Sequence, residues 1–191
     1  MSTDTDHLNQ GVALQDQNVS TNQFLTFMLG EEEYGVDILN VQEIRSWESA
    51  TSIPNTPDYV LGVINLRGLV VPIIDLRKRF AMSSAEFGPA TIIVIVKLLD
   101  DAKTSKTVGM VVDEVSDVYN ISGEDVGEMP DLGSVVGTEF IKGVASVNEK
   151  MVIILNIESL INTGVLGEDN TDFPVVDKKS ETGEDQAASA E

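Results

Sequence analysis

The sequence predicts a mainly β fold of two small barrel-like subdomains with a few short helices, each subdomain too short for a large sandwich sheet. Three observations carry that prediction. In Tyr59–Leu76, two β-branched apolar runs flank Asn65-Leu66-Arg67-Gly68, the pattern of a β-hairpin with one arginine at or near its turn. Phe140–Ile157 repeats the same order of aromatic, glycine, valine and long apolar run, without a gap, 81 residues further on. A weaker match pairs Tyr34–Ile38 with Val108–Val112, and Val41–Ile44 with Val115–Val118, at a spacing of 74.

Taken in order, residues 1–22 are polar and acidic and are expected to be a disordered tail. Gln23–Leu29 reads as a first strand, Gly30–Glu33 as a turn and Tyr34–Ile38 as a second strand, together an opening hairpin. Ile38, Leu39, Val41 and Ile44 then recur at near-helical spacing, which predicts a short helix over 37–45 with Asn40, Glu43 and Arg45 turned from the core. Trp47 follows, and Pro54 and Pro57 break regular structure ahead of the central hairpin.

Within that hairpin Gly68 supplies the positive φ a tight turn needs, and Gly62 permits another backbone to approach closely. Pro72 cannot donate to a ladder, so its strand is expected at a sheet edge or bulged. Arg77-Lys78-Arg79 is the one dense basic run. Thr91–Leu99 is continuously apolar and suits a strand buried on both faces; Asp100–Thr107 reads as a charged loop and Val108–Val112 as the next strand. Ser122–Thr138 collects glycines, Pro130 and acids into a long exposed connection. Met151–Ile157 is a strand, Glu158–Asn162 a short helical turn, and residues 163–191 a second acidic tail expected to be disordered. The expected domain thus covers 23–162, with approximate subdomains 23–85 and 90–162 between which strands can exchange.

Composition narrows the function classes. With 42% hydrophobic residues in 191, the chain holds enough material for one or two cores without staples, and it has no cysteine. Disulfides, thiolate nucleophiles and cysteine-ligated metals are thereby removed. The formal net charge is -20: residues 1–22 carry three acids and no Lys or Arg, 163–191 carry eight acids against Lys178 and Lys179, and the remaining 21 acids face ten bases. Nucleic acid and anionic membrane are poor partners for such a surface, because phosphate binding relies on clustered Lys and Arg. No apolar run approaches the length of a membrane span and the N-terminus lacks a signal-peptide pattern, so the expectation is a soluble, unexported protein with no direct membrane binding.

Motifs for chemistry are scarce. The lone histidine, His7, sits in the first tail, so histidine-based triads lose their usual base. Asp113-Glu114, Asp117 and Glu124-Asp125 form no Asp-x-Asp-x-Asp-Gly loop, no phosphate-binding glycine loop occurs, and Ser146 and Thr138 lack an evident activating base. No cofactor, metal or catalytic residue is expected. What remains is a scaffold displaying a few unusual surface groups. Arg67, five donors in a rigid fork on an acidic protein, either meets a carboxylate-bearing partner or pairs internally with Glu43 or Asp75. Glu43 is either a solvated polar face or half of a partner contact.

Glu33–Arg45, Asn55-Thr56-Pro57, Gly62–Gly68, Val71–Arg77, Val112–Asp117 and Met151–Glu158, several motifs in one order, resemble the chemotaxis coupling proteins of the CheW family from about Gln23 to Asn162. The resemblance implies two five-stranded, SH3-like β-barrels packed around a shared hydrophobic core. It implies an adaptor without catalysis, cytoplasmic and at receptor arrays by the inner membrane face. Such an adaptor joins the cytoplasmic hairpin tips of methyl-accepting chemoreceptors to the histidine kinase CheA, whose regulatory domain has the same fold. Carried onto this chain, the partner-binding residues are Val41, Glu43, Gly62, Val63 and Arg67, with the receptor hairpin in a groove between subdomains. A reading from another class, a β-barrel small-ligand binder or enzyme using the acidic loops, stands beside it, as does oligonucleotide binding with steep salt dependence.

Overall fold

The computed structural model describes residues 21–83, 86–99, 105–128 and 138–163. Two sheets account for most of them. The first has the order β8-β1-β2-β11-β10-β9, from β8 (Glu114–Ser122), β1 (Thr21–Leu29), β2 (Glu32–Asp37), β11 (Lys150–Leu155), β10 (Ile141–Val147) and β9 (Val126–Gly127). The second has the order β3-β6-β7-β5-β4, from β3 (Val41–Ser46), β6 (Ile92–Leu99), β7 (Ser105–Val112), β5 (Leu69–Asp75) and β4 (Val60–Leu66). Short helices α1 (Leu76–Arg79) and α2 (Ile157–Asn162) follow β5 and β11.

The mainly β reading and the two-unit architecture hold. Against the expected pair of five-stranded, SH3-like barrels, the strand orders are open and contain six and five strands. The strand exchange left open by the sequence takes a definite form, with the opening hairpin β1–β2 joining the C-terminal strands while β6 and β7 join β3–β5.

Both sequence spacings appear as geometry. The hairpins β4–β5 and β10–β11 are each bulged beside a glycine, between Val60 and Gly62 and between Ile141 and Gly143, which are 81 residues apart. Each turn carries two residues of positive φ, Arg67 and Gly68 in one and Asn148 and Glu149 in the other, as two-residue hairpin turns matched to strand twist require. The 74-residue spacing meets the 81-residue one where strands run parallel, Ile73 opposite Gly109 in one sheet and Ile154 opposite Gly35 in the other.

Alternation along the central strands divides the core into three. On β6, Ile93 and Ile95 point into a cluster with Ile64, Leu66, Val71 and Ile73, inside the second sheet. Val94 and Val96 point the other way, into a large cluster with Phe27, Tyr34, Met110 and Leu160 that both sheets share. Phe24, Ile121, Val152 and Ile154 fill the first sheet. A strand buried on both faces was expected over 91–99; Ile93–Val96 meet it for this reason, whereas Lys97 and Leu99 are exposed.

Three local expectations are corrected. Residues 37–45 are not a helix: Asp37 accepts from the Leu39 N–H at 2.9 Å and caps a single 3-10 turn, Ile38–Asn40, after which β3 pairs with β6. The apolar spacing fits either state, and pairing with a buried partner strand decides for β. The faces change with it, so Ile44 is exposed while Val41, Glu43 and Arg45 are half-buried. Pro72 lies in an interior strand, but pairing of β5 with β7 begins only at Ile73, so no donor is missed on that side. Of the tails, Thr21 and Asn22 belong to β1; residues 1–20 and 164–191, and most of the loop 122–138, lie outside the described residues.

Candidate functional site

Arg67 heads the β4–β5 turn with φ 54, a conformation costly for a side chain bearing a Cβ, and the Gly68 N–H closes the turn onto Asn65 Oδ1 at 2.8 Å. This fixes the direction in which the Arg67 Cα–Cβ bond leaves the surface. Its side chain is 78% exposed, and Nη2 donates to Glu43 Oε2 at 2.8 Å. Glu43 sits on β3, at the opposite end of the strand order from β4, so the pair reports that the sheet rolls until its two edges nearly meet.

The roll is held further along by the chain leaving β3. Thr51 and Val63 exchange backbone hydrogen bonds of 2.8 and 2.9 Å, laying the Thr51 backbone directly over Gly62. A Cβ on Gly62, whose φ is +138, would come within 2.2 Å of Thr51 O. The close backbone approach expected at Gly62 is therefore present, and it buries the residue. The relation recurs at Gly143, where a Cβ would meet Gly127 O at 2.5 Å.

Of the five residues singled out in the sequence, Glu43 and Arg67 are in contact. Val41 shares the inward-leaning alternation of β3 with Glu43 and packs against the shared core. Gly62 and Val63 lie upstream on β4, the first buried and the second half-buried. Around the pair, Arg45 reaches Glu43 at 3.7 Å and Glu48 at 3.0 Å, and the exposed apolar side chains Ile44, Leu69 and Val70 stand on the same strands. These apolar groups were not singled out from sequence; the spacing of β3 read as a helix had placed Ile44 in the core.

At the seam between sheets, Asp37, Asn40, Leu98, Lys142 and Glu158 line a hollow of about 160 Å³ beside Leu39, which is 89% exposed. The opposite crossing of the chain is clamped. Arg77 donates from Nε to Asp113 Oδ1 at 2.6 Å and from Nη2 to Asp113 Oδ2, while the Gly30 N–H donates to Asp113 Oδ2 at 2.7 Å. The side-chain hydrogen bonding to Asp113 raises the Arg77 pKa above its ordinary value. The clamp joins α1, the β7–β8 crossing and the β1–β2 turn, a three-way contact that no local signal in the sequence announces.

Among the described residues, no group of three or more His, Cys, Asp or Glu side chains is placed to hold a metal ion. No described helix is long and apolar enough to cross a membrane.

Comparison with known proteins accords with this architecture. The family model of the CheW-like domain matches residues 23–164. The chain is 42% identical over 141 residues to the chemotaxis protein CheW of Klebsiella aerogenes, covering 74% of this chain and 82% of that protein. It is 34% identical over 150 residues to a probable chemotaxis protein CheW of Rhizobium etli, covering 78% and 94%. The crystal structure of the scaffolding protein TtCheW from Thermoanaerobacter tengcongensis superposes with a TM-score of 0.65 at 32% identity, covering 81% of this chain and 91% of that one. With a domain match across most of its length and relatives above 30% identity spanning most of theirs, this chain belongs to the CheW family.

Proposed function

We propose that this chain is a non-catalytic chemotaxis adaptor that couples the cytoplasmic tips of chemoreceptors to the histidine kinase CheA and helps assemble signalling arrays in the cytoplasm. Its relatives are named as chemotaxis proteins and one as a scaffolding protein. The observation that carries the reading is the pair between Arg67, on the β4–β5 turn, and Glu43, on β3, with the exposed apolar residues Ile44 on β3 and Leu69 and Val70 at the start of β5. A surface of this kind offers apolar area for burial and two opposite charges that fix register, which is what docking a helix or a second barrel needs.

In this reading Val41, Glu43, Gly62, Val63 and Arg67 serve partner binding in two ways. Glu43 and Arg67 contact the partner, whereas Gly62 keeps β4 against Thr51 and so holds the turn in place. The seam beside Leu39 takes the receptor hairpin. The test is retention of the full chain by a purified CheA of the same cell, followed by addition of a receptor cytoplasmic hairpin. A ternary assembly with an altered kinase rate is expected; a folded chain that binds neither protein would end the proposal.

A further inference from the structure

Two carboxylates are buried among the described residues, Glu33 at 7% exposure and Asp75 at 3%. Asp75 is supplied with donors, since its Oδ1 accepts from the Arg77 and Lys78 N–H groups as the cap of α1. Glu33 is not. Its Oε1 accepts from Thr26 Oγ1 at 2.8 Å, and that hydroxyl is shared with the Asp117 carbonyl at 3.2 Å. Oε2 takes part in no hydrogen bond or ion pair among the described residues. It is not sealed in either, because the one enclosed side-chain polar atom without a partner among those residues is Arg79 Nε. Glu33 lines a hollow of about 450 Å³ with Met28, Glu31, Lys150, Met151 and Ile153, and this is where Oε2 has room to face. The hollow arises because β2 and β11 run parallel and pair only from Glu33 opposite Val152 onward, which leaves Glu32 and Met151 unpaired with each other beside the two hairpin turns.

We propose that this hollow is a docking site for an arginine side chain of a protein partner, with the guanidinium on Glu33 and the stem against Met28, Met151 and Ile153. A carboxylate taken out of water is stabilised when a cation meets it, and none does so among the described ion pairs. Arginine suits the place better than a compact ammonium, because its guanidinium is more weakly hydrated and spreads its donors over a fork. Met151 is 70% exposed beside the half-buried Met28 and Ile153, an apolar wall soft enough to follow a side-chain stem. Charge agrees with this occupant: Glu31, Glu32 and Glu33 face Lys150, which opposes it from the rim. The site belongs to the first sheet and the Arg67–Glu43 pair to the second, so the inference goes beyond the adaptor reading and does not depend on it.

The probe is a capped Gly-Arg-Leu peptide, compared with the same peptide carrying citrulline, the uncharged isostere, in place of arginine. Amide signals of the isotope-labelled full chain are followed through a titration with each. The arginine peptide should shift the signals of Met28, Glu33, Lys150 and Met151 toward saturation and leave those of Glu43 and Arg67 in place. The citrulline peptide should bind about tenfold more weakly, as expected when a hydrogen bond loses its charged partner. Glu33→Gln, which keeps the shape and the Thr26 contact, should lose a similar factor. Met151→Ser alters an exposed side chain and should weaken binding several-fold in a chain that folds normally, whereas Lys150→Gln should strengthen it. Absence of binding to the wild-type chain overturns the proposal. So does equal binding of the two peptides, an affinity left unchanged by Met151→Ser or by folded Glu33→Gln, or shifts that gather on another face.

Discussion

Arg67 and Glu43 close the rolled sheet from its two edges, Nη2 to Oε2 at 2.8 Å, although their strands stand at opposite ends of the strand order. The arginine remains 78% exposed while the glutamate is 22% exposed. An exposed pair of this kind contributes about 0–1 kcal/mol to folding. Arg67→Glu should therefore leave the thermal midpoint nearly unchanged. In binding, where a partner desolvates the charges, the same reversal should cost on the order of 2–5 kcal/mol. Kinase retention measured beside the melting curve checks both halves, and normal retention by the folded variant removes Arg67 from the interface.

Gly62 and Gly143 predict a matched pair of stability losses. Each lies where another backbone carbonyl would meet its Cβ, at 2.2 Å from Thr51 and 2.5 Å from Gly127. Gly62 adds a φ of +138, which side chains rarely adopt. Gly62→Ala and Gly143→Ala should each destabilise on the order of 1–3 kcal/mol, read as a lower urea midpoint at unchanged slope. A Gly62 variant that loses partner binding at full stability would mean that the residue touches the partner directly.

The hairpins were legible because turn chemistry and strand period are local: Arg67-Gly68 between β-branched runs leaves little choice. The repeat was legible because parallel pairing places Gly109 against Ile73 and Gly35 against Ile154, so each half needs a small residue at the same place. Residues 37–45 misled because Val41 and Ile44 satisfy both periods and their state is decided by β6, half the domain away. β8 received no assignment of its own, since its mostly exposed pattern carries little hydrophobic signal; its 74-residue echo of β3 was the clue. Arg77 reading as part of a basic run, and Asp113 as one acid of several, gave no sign of their pairing, which depends on how the two sheets meet.

That Arg77–Asp113 clamp should behave unlike the Arg67 pair. Its side chains are only 15% and 30% exposed, and Asp113 also accepts from the Gly30 backbone. Arg77→Gln and Asp113→Asn should each cost about 1–3 kcal/mol, the range for hydrogen bonds to charged groups. The double variant should cost less than the two singles together. Because the guanidinium pKa is raised, its contribution is present at every pH below its ordinary value and so is flat across the working range. A urea series on the four proteins at low and high salt reads the coupling, and additive effects would show that the clamp is no unit.

Tyr34 supplies the alkaline limit. It is 2% exposed, stacks between Phe27 and Phe80, and donates to Glu32 Oε2 at 2.7 Å. Burial, then the hydrogen bond and negative charge of Glu32, push its pKa well above the ordinary value of 10.0. The raised pKa belongs to an acid kept protonated by the fold, so the stabilisation is complete below the unfolded value. As pH rises past about 10 the unfolded chain releases this proton and the native one retains it, and stability falls by about 1.4 kcal/mol per pH unit. Other alkaline titrations add to the decline, so the measurement is the difference between wild type and Tyr34→Phe from pH 9 to 12. The variant should lose the lone hydroxyl contact at neutral pH yet decline less steeply above pH 10, and parallel curves would show that the phenol ionises as freely in the folded chain as in the unfolded one.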